Sequence, residues 1–271
     1  MAKSSTVVEF KSTDPVDPAA EETPKLVIAF GRGGTGKSTV LSEVLYRARN
    51  RGRPVIPADF DSQSKTLRSL FPDAVVPVSD EMPDVKEQFM DLLNRMSLER
   101  KSAVVDFGGG DQFMREFAKD MGVVKYCARK DINPVAVYVL SPDIENLRHC
   151  LSVFESGHFM PGRMLVILNE GVIREGKTVK GAFDATLRDP GFARMVEAGA
   201  KVMLMTKLPI MEAVQGVPDG SGSVVGAKDL YAAATGSCDN PLEPVQEFIL
   251  GEWLEELEAK RKKLGVAEWL P

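Results

Sequence analysis

A glycine-rich segment at residues 31–38 constrains the fold of this chain more than any other stretch. It reads GRGGTGKS and fits the pattern G-x-x-x-x-G-K-[ST] at every fixed position. The apolar run LVIAF at residues 26–30 precedes it, and residues 38–50 carry apolar side chains at helical spacing. A strand, a glycine-rich loop and a helix in this order predict a loop that wraps around phosphate groups. A glycine-rich turn without a ligand is the alternative interpretation.

The residue types of this loop suit phosphate chemistry. Glycines let the backbone curl so that successive N–H groups point at phosphate oxygens, where side chains would not fit. Lys37 would reach the β- and γ-phosphates as a point charge, and the Ser38 hydroxyl would bind Mg²⁺. The predicted nucleotide-binding residues of the loop are Gly31, Arg32, Gly33, Gly34, Thr35, Gly36, Lys37 and Ser38.

Length and composition fit one nucleotide-binding α/β domain with tails. Hydrophobic residues make up 44% of the 271-residue chain, which is enough for a substantial core. The net charge of −5 gives the whole chain no attraction for nucleic acid or an anionic membrane, although a local basic patch could still bind DNA. Cys127, Cys150 and Cys238 have no metal-site or disulfide spacing. No apolar run approaches the roughly 18 residues of a membrane span, so we expect a cytoplasmic protein.

Three parts are expected along the chain. Residues 1–24 mix Ser, Thr, Asp, Pro and Glu and predict a flexible tail, and residues 25–240 form the phosphate-loop domain. Residues 241–271 contain a predicted amphipathic helix at 244–264, which carries many glutamates and should dock on the domain or on a partner rather than on a membrane. Its apolar residues at helical spacing are Val245, Phe248, Ile249, Trp253, Leu254 and Leu257.

Predicted strands and helices alternate through the central part. Apolar runs predict strands at 26–30, 54–58, 74–78, 102–107, 134–140, 164–168 and 201–205. Helical patterns lie at 38–50, 65–71 and 85–98, and another helix capped by Ser141 or Asp143 ends near Phe154. Long connections between parallel strands predict an α/β three-layer sandwich, a mostly parallel twisted sheet with helices on both faces.

Carboxylates stand at the ends of two predicted strands, where ligands bind in open α/β sheets. Asp59 and Asp61 follow the second strand, and Asp106 ends the strand SAVVDF. Asp106 would hold the Mg²⁺ shell, and Gly109, the last residue of D-x-x-G, would offer its N–H to the γ-phosphate. The alternatives are a solvated turn at Asp59 and Asp61, and a strand-to-helix turn capped by Asp111 after Asp106.

Three ordered segments resemble the ParA/MinD family of P-loop ATPases, the branch with a deviant Walker A loop. They read GRGGTGKST, which extends the nucleotide-binding residues to Thr39, then ADFDSQSKTL and VVDFGGGD. The resemblance covers roughly residues 25–209. Arg32 stands where that family has a signature lysine that reaches the nucleotide of the partner subunit. An arginine could supply the same charge in trans, but with a different reach and different donors.

The resemblance implies site roles for further residues. Asp61 would orient or activate the attacking water and help to place the metal, so Asp61, Lys37 and Arg32 are the expected catalytic residues. Ser38, Asp61 and Asp106 are the expected Mg²⁺ residues. Asn169 would contact adenine, with the backbone at Pro209 flanking the base. The alternatives are a structural role for Asn169 and a solvent-facing Arg32.

ATP is the expected nucleotide because the segment at residues 169–172 reads NEGV and lacks the aspartate that reads guanine in N-K-x-D or T-K-x-D motifs. The expected function is a Mg-ATP-dependent dimerising switch ATPase that positions DNA, such as a plasmid or conjugative element, or another intracellular cargo. A protein partner or DNA-bound adaptor would act with the homodimer. Direct DNA contact through Arg47, Arg49, Arg51 and Arg53 is open, and so is their role as a solvated helix end.

Two other classes of function stay open, because a fold does not fix a function. One is a small-molecule kinase or ATP-dependent ligase, whose turnover would rise with one metabolite. The other is a nucleotide-binding regulator that does not hydrolyse and uses Arg32 only to hold a dimer.

Overall fold

The central element of the fold is a parallel β-sheet with the strand order β2-β3-β1-β4-β5-β6. The structure, a computed structural model, describes residues 23–61, 64–108, 122–173, 179–218 and 224–271. The strands of this sheet are β1 (Lys25–Phe30), β2 (Val55–Asp59), β3 (Ser102–Asp106), β4 (Asn133–Leu140), β5 (Arg163–Asn169) and β6 (Lys201–Met205).

Helices connect the strands and cover both faces of the sheet. In the described part of the chain they are α1 (Lys37–Asn50), α2 (Thr66–Leu70), α3 (Met82–Glu99), α4 (Val123–Arg129), α5 (Ile144–Ser156), α6 (Asp184–Arg188), α7 (Pro190–Glu197), α8 (Met211–Gln215), α9 (Leu230–Ala234) and α10 (Pro244–Leu264). The predicted three-layer α/β sandwich with a parallel sheet is confirmed.

Two apolar cores lie on opposite faces of the sheet, because side chains alternate along each strand. On β1, Ile28 packs into one core, with α3, α4, α5 and α7, and Val27 packs into the other, with α1, α2, α9 and α10. β1 is buried along its whole length. The strand therefore reads as a continuous apolar run, as buried parallel strands do.

The order of the strands places one loop at a special point of the sheet. β1 lies between β3, which belongs to the same half of the sheet as β2, and β4, which begins the other half. The connection from β1 leads to β2 in one direction across the sheet, whereas the connection from β4 leads to β5 in the other, and a crevice opens at the carboxyl end of β1. The glycine-rich loop at residues 31–36 occupies this position.

Two short segments differ from the sequence-based expectation. The predicted strand at 74–78 is absent, since Val75 forms only an isolated parallel bridge with Ala58 and Val78 is 90% exposed. The Gly- and Ser-rich segment after residue 216 contains a short antiparallel pair, β7 (Val217–Pro218) with β8 (Val224–Val225). Two-residue strands lack a periodic apolar pattern, so periodicity could not predict them.

The long helix α10 packs on α9 and on the edge strand β6. Trp253, Leu254 and Leu257 are buried there, but Val245 and Phe248 are 68% and 67% exposed. The first two residues of this apolar spacing therefore lie on the surface of the described part of the chain. Among the described residues, no helix is long and apolar enough to cross a membrane.

Polar contacts join α10 to α1, the helix that follows the glycine-rich loop. Arg261 forms a bidentate ion pair with Glu43, and both side chains are almost fully buried. Tyr231 donates a hydrogen bond of 3.0 Å to Glu43 Oε1. Arg47 donates to Glu258 at 2.9 Å and to the Pro271 carbonyl at 2.7 Å. The C-terminal segment and the loop helix are thus joined through buried charges.

Candidate functional site

The loop after β1 is joined to the acidic end of β3 by a direct hydrogen bond. Ser38 Oγ donates to Asp106 Oδ2 over 2.7 Å. Because β1 and β3 are adjacent, with Ala29 opposite Asp106, the end of β3 lies beside the start of α1. Two residues 68 positions apart in the sequence are therefore brought together, as the motif analysis expects of a serine and a carboxylate that share a metal ion.

Lys37 lies at the first position of α1 and points back along the loop. Its ammonium group is 3.5 Å from the Arg32 carbonyl oxygen, and the residue is only 6% exposed. A buried ammonium with one long hydrogen bond is poorly satisfied by the described residues. The position and charge suit an anion in the curve of the loop.

The Asp106 carboxylate has one oxygen without a partner. Oδ2 accepts from Ser38, whereas Oδ1 is buried and has no hydrogen-bond partner among the described residues. Burial raises the pKa of Asp106, the Lys37 charge and the Ser38 hydrogen bond lower it, and the Asp61 charge raises it. A cation beside Oδ1 would satisfy the oxygen and favour the ionised form.

The Ser38 hydroxyl and the Asp106 carboxylate fit a Mg²⁺ site. A hydroxyl and a carboxylate are the hard oxygen ligands that Mg²⁺ takes, with the remaining positions filled by water and phosphate. In the described part of the chain, no group of three or more His, Cys, Asp or Glu residues could hold a metal ion. The residues present therefore suit a metal that arrives together with a phosphate group.

A second pair of carboxylates shapes the loop after β2. Asp59 is 2% exposed, and its two oxygens accept from the backbone N–H groups of Asp61 at 3.1 Å and Arg68 at 2.7 Å. Burial raises the pKa of Asp59 to about 6, against the effect of these two hydrogen bonds. Asp59 thus organises the loop from inside, whereas Asp61 is only half-buried.

The Asp61 carboxylate accepts from the Ser64 N–H at 3.1 Å and lies against the backbone of Gly108, just past the end of β3. The charges of Asp61 and Asp106 are close enough to raise the pKa of Asp106. Asp61, Asp106 and Ser38 therefore gather at one edge of the sheet, as predicted for the metal residues.

Arg32 is exposed at the tip of the loop, and its guanidinium has no hydrogen bond to a described residue. Its carbonyl accepts from Thr35 Oγ1 at 2.9 Å. The neighbouring Gly33 and Gly34 are also exposed, and a side chain at either position would meet nothing within 4 Å. The outer face of the loop is open, so a ligand or a second chain could approach its backbone closely.

Asn169 supports the loop from the end of β5. Its Nδ2 donates to the Thr35 carbonyl at 2.9 Å, and its Oδ1 accepts from the Gly171 N–H at 2.9 Å. The residue is 3% exposed, which matches the structural alternative, and the adenine contact stays a prediction. Pro209 is exposed in the turn after β6, and its place beside a base stays a prediction as well.

Two residues at the loop were not found from the sequence. Gln215, at the end of α8, donates to Thr39 Oγ1 over 2.9 Å. Asn146, on α5, is 1% exposed and accepts from the Arg32 N–H at 3.2 Å. The only sequence signal for Asn146 is one polar residue on the apolar face of a helix.

The four arginines near the end of α1 pair with carboxylates of the chain rather than forming a free basic patch, and Arg49 keeps a solvent-exposed side chain. Arg47 is buried, and each of the other three is paired with one carboxylate: Arg49 with Asp73, Arg51 with Glu258 and Arg53 with Glu268. The charge of the cluster is thus largely neutralised within the chain. Gly109 and Asp111, which the sequence places after the strand ending in Asp106, lie outside the described residues.

Fold and site together define a class: an α/β protein with a phosphate-loop architecture, in which the strand before the loop adjoins a strand ending in a buried aspartate. No protein-family model matches the sequence, and no curated protein matches it.

Solved structures with a similar course of the chain include two FtsY proteins and an FlhF. Chloroplast FtsY from Physcomitrella patens is 14% identical, with a TM-score of 0.46, and the match covers 85% of this chain and 65% of that chain. Cell division protein FtsY from Thermotoga maritima is 16% identical, with a TM-score of 0.47, and the match covers 92% of this chain and 73% of that chain. FlhF complexed with GMPPNP and Mg²⁺ is 16% identical, with a TM-score of 0.42, and the match covers 76% of this chain and 70% of that chain. The chain spans slightly less than two thirds of the moss protein.

Proposed function

We propose that this protein binds a Mg²⁺–nucleoside triphosphate at the loop after β1 and hydrolyses it as a conformational switch. The observation that carries the proposal is the 2.7 Å hydrogen bond between Ser38 and Asp106, with the second Asp106 oxygen buried and unpartnered among the described residues. Burying a carboxylate oxygen without a hydrogen-bond partner costs free energy unless a cation binds to it. Lys37, which is buried nearby, supplies the positive charge for the phosphates.

Ser38 and Asp106 would hold the metal, Ser38 directly and Asp106 directly or through water. The metal would neutralise charge on the β- and γ-phosphate oxygens. Backbone N–H groups of residues 33–38 would bind the phosphate chain, because the start of α1 directs its unpaired N–H groups and its positive dipole end to the same point.

Asp61 is the residue we propose for hydrolysis. Its carboxylate lies beside Gly108 near the metal side of the site and is half-buried, so it can hold a water molecule. The water would attack the γ-phosphorus and pass its proton to Asp61 or to a γ-phosphate oxygen. The bond between the γ-phosphorus and the oxygen that bridges it to the β-phosphate would break, which leaves a nucleoside diphosphate and inorganic phosphate. Phosphoryl transfer of this kind depends chiefly on positioning.

ATP is the nucleotide we propose. The sequence supports ATP because it lacks a guanine-binding motif. In such a motif an aspartate follows the asparagine by three residues, and here Val172 occupies that position after Asn169. Parallel titrations with ATP and GTP decide between the two nucleotides.

A nucleotide-dependent homodimer is the form we propose for the active state, in a cytoplasmic setting. The resemblance to the ParA/MinD branch supports it, and so does the exposed Arg32 beside the open face at Gly33 and Gly34. Arg32 would reach the triphosphate of the partner subunit. Asp61→Ala should bind ATP, hydrolyse it slowly and accumulate as a dimer in light scattering, and a monomeric variant with ATP would contradict this part.

A protein that moves or places a cargo is the role we propose for this switch, with a protein or a DNA-bound adaptor as its partner. Direct contact of the Arg47–Arg53 cluster with DNA is disfavoured, because these arginines already pair with carboxylates or carbonyl oxygens of the chain.

The experiment that tests the proposed function is a calorimetric titration of ATP and GTP, each with Mg²⁺, into the wild type, Lys37→Ala and Lys125→Ala. Lys125 is an exposed lysine on α4 and is not one of the residues proposed to bind the nucleotide, so its variant controls for the loss of one positive charge. The wild type and Lys125→Ala should bind with equal affinity, and Lys37→Ala should not bind measurably. Absence of binding by the wild type, or equal binding by Lys37→Ala, would overturn the proposal.

A further inference from the structure

The side chain of Asn146 lies at the point where β1 ends and the glycine-rich loop begins. β1 and β4 pair from Lys25 opposite Asn133 to Phe30 opposite Tyr138, and the pairing stops there. The next backbone groups on each side are the Arg32 N–H and the Val139 carbonyl. Asn146 contacts both of them, although it belongs to neither strand.

The carboxamide of Asn146 takes the place of a peptide group between the end of β1 and β4. Its Oδ1 accepts from the Arg32 N–H at 3.2 Å, and its Nδ2 donates to the Val139 carbonyl at 3.2 Å. Nδ2 also lies 3.4 Å from Ser141 Oγ. A planar amide supplies one acceptor and two donors, so it can continue a strand ladder in a way that a hydroxyl or a carboxylate cannot.

The surroundings of this amide are tightly packed. Asn146 is 1% exposed, and a β-carbon on Gly31 would lie 2.7 Å from the Val139 carbonyl oxygen that Asn146 binds. Gly31 has φ of 152°, a conformation that other residues rarely adopt. The chain therefore turns out of the sheet at Gly31, with the Asn146 amide filling the gap between the separating strands.

We infer that Asn146 is a positioning residue of the phosphate-binding loop: it ends the β1–β4 ladder, turns the Arg32 backbone away from β4 and so fixes the start of the loop. This inference deepens the proposed function and rests on it for the nucleotide part. Asn146 does not touch the phosphates itself. It acts through the hydrogen bond that its Oδ1 accepts from the Arg32 N–H.

A fixed loop start has two consequences. The loop is already ordered before the nucleotide binds, so binding does not carry the entropic cost of ordering it. The affinity for the nucleotide is therefore higher. The direction of the Arg32 side chain is set by a backbone that is held on one side by Asn146 and on the other by Thr35, whose Oγ1 donates to the Arg32 carbonyl at 2.9 Å.

The test compares Asn146→Ala with Leu147→Ala. Leu147 is the adjacent residue on α5 and is fully buried, so its truncation lowers stability without removing a contact to the loop. Two quantities are measured for each variant and for the wild type: hydrogen exchange of the Arg32 amide by NMR without nucleotide, and the dissociation constant for Mg-ATP by calorimetry.

We expect Asn146→Ala to lose protection of the Arg32 amide and to bind Mg-ATP at least about tenfold more weakly, because the loop is no longer ordered in advance. Leu147→Ala should keep both the protection and the affinity at a similar or lower melting temperature. Unchanged protection in Asn146→Ala would overturn the inference whatever the nucleotide result. An affinity loss no larger than that of Leu147→Ala would overturn it too, since the role would then be structural only.

A second variant keeps the shape of the side chain. Asn146→Asp loses the donor to Val139 while its carboxylate is ionised, and regains one when the carboxyl group is protonated. At neutral pH this variant should bind Mg-ATP more weakly than the wild type, and an unchanged affinity would count against the inference. Failure of the wild type to bind ATP or GTP at all overturns the proposed function instead, so the two failures are distinguishable.

Discussion

The carboxylate of Asp61 lies against the backbone of Gly108, in the space that a β-carbon on residue 108 would occupy. The contact joins the loop after β2 to the chain that leaves β3. These are the two segments that, by our proposal, sense the γ-phosphate and the metal. Only a residue without a side chain permits this approach.

Gly108→Ala should displace Asp61 and slow hydrolysis by about 10- to 100-fold, because small misplacement of a positioning group is costly, while ATP affinity changes by less than about threefold. Single-turnover rates and calorimetry measure the two effects. Gly162→Ala is the control, since a β-carbon there meets nothing within 4 Å. Equal rates for Gly108→Ala and the wild type would show that Asp61 has no part in hydrolysis.

The buried ion pair between Glu43 and Arg261 should be costly to break on one side only. Glu43→Ala leaves the Arg261 charge and the Tyr231 hydroxyl without their partner, and we expect a loss of about 3–5 kcal/mol in unfolding free energy. The double variant Glu43→Leu/Arg261→Met removes both charges and should recover most of the loss. Urea unfolding measures both variants, and a double variant no more stable than Glu43→Ala would contradict the account.

Glu258 should contribute to acid stability. Burial alone would raise its pKa, but the hydrogen bond from Arg47 and the charges of Arg47, Arg51 and Arg261 outweigh burial and lower the pKa to about 2. A carboxyl group whose pKa falls on folding stabilises the protein above its unfolded value and loses this contribution as the pH falls.

The contribution of Glu258 should therefore be complete above pH about 4.5 and vanish towards pH about 2, and it amounts to about 2–3 kcal/mol. Glu258→Gln should be less stable than the wild type at pH 7, with a difference that shrinks as the pH is lowered through this window. Urea unfolding at a series of pH values measures it. A difference that grows on acidification would contradict the assigned direction.

Trp253 and Phe248 provide a matched pair of aromatic residues on α10. Trp253 is 4% exposed and donates to the Thr206 carbonyl at 2.9 Å, whereas Phe248 is 67% exposed. Trp253→Ala should cost about 3–5 kcal/mol, since it opens a cavity and removes a hydrogen bond. Phe248→Ala should stay within about 0.5 kcal/mol. Equal effects in thermal unfolding would mean that α10 is docked through a different face.

The sequence predicted the parts of the site that depend on local patterns. The loop at residues 31–38, the strand ending in Asp106 and the strand ending in Asp59 were all located, because a buried parallel strand is a continuous apolar run with a polar residue at its end. The sheet brings Ser38 and Asp106 within hydrogen-bond distance, as a shared metal site requires. The roles of the site residues in binding and catalysis stay predictions.

What the sequence did not predict depends on contacts between distant segments. Asn146 reaches the loop from α5, 114 residues after Arg32, and its polar side chain on the apolar face of a helix does not show which segment it contacts. Arg47 was assigned to a solvated helix end or a DNA patch, but its partners are Glu258 and the last residues of the chain, more than 200 positions away. The exposed Phe248 fits the helical apolar pattern as well as the buried Trp253 does. Periodicity identifies the apolar face of a helix but does not show how far along the helix another element covers that face.

The most direct test of the central claim is the dependence of ATP binding on Mg²⁺ in the wild type and in Asp106→Asn. The amide can still accept the Ser38 hydrogen bond, but it has no negative charge for a cation. Calorimetry with Mg²⁺ and with EDTA should show that Mg²⁺ strengthens binding to the wild type by at least about tenfold and has little effect on the variant. Equal dependence on Mg²⁺ in both proteins, or no binding of ATP or GTP by the wild type, would contradict the claim that Ser38 and Asp106 form a metal–nucleotide site.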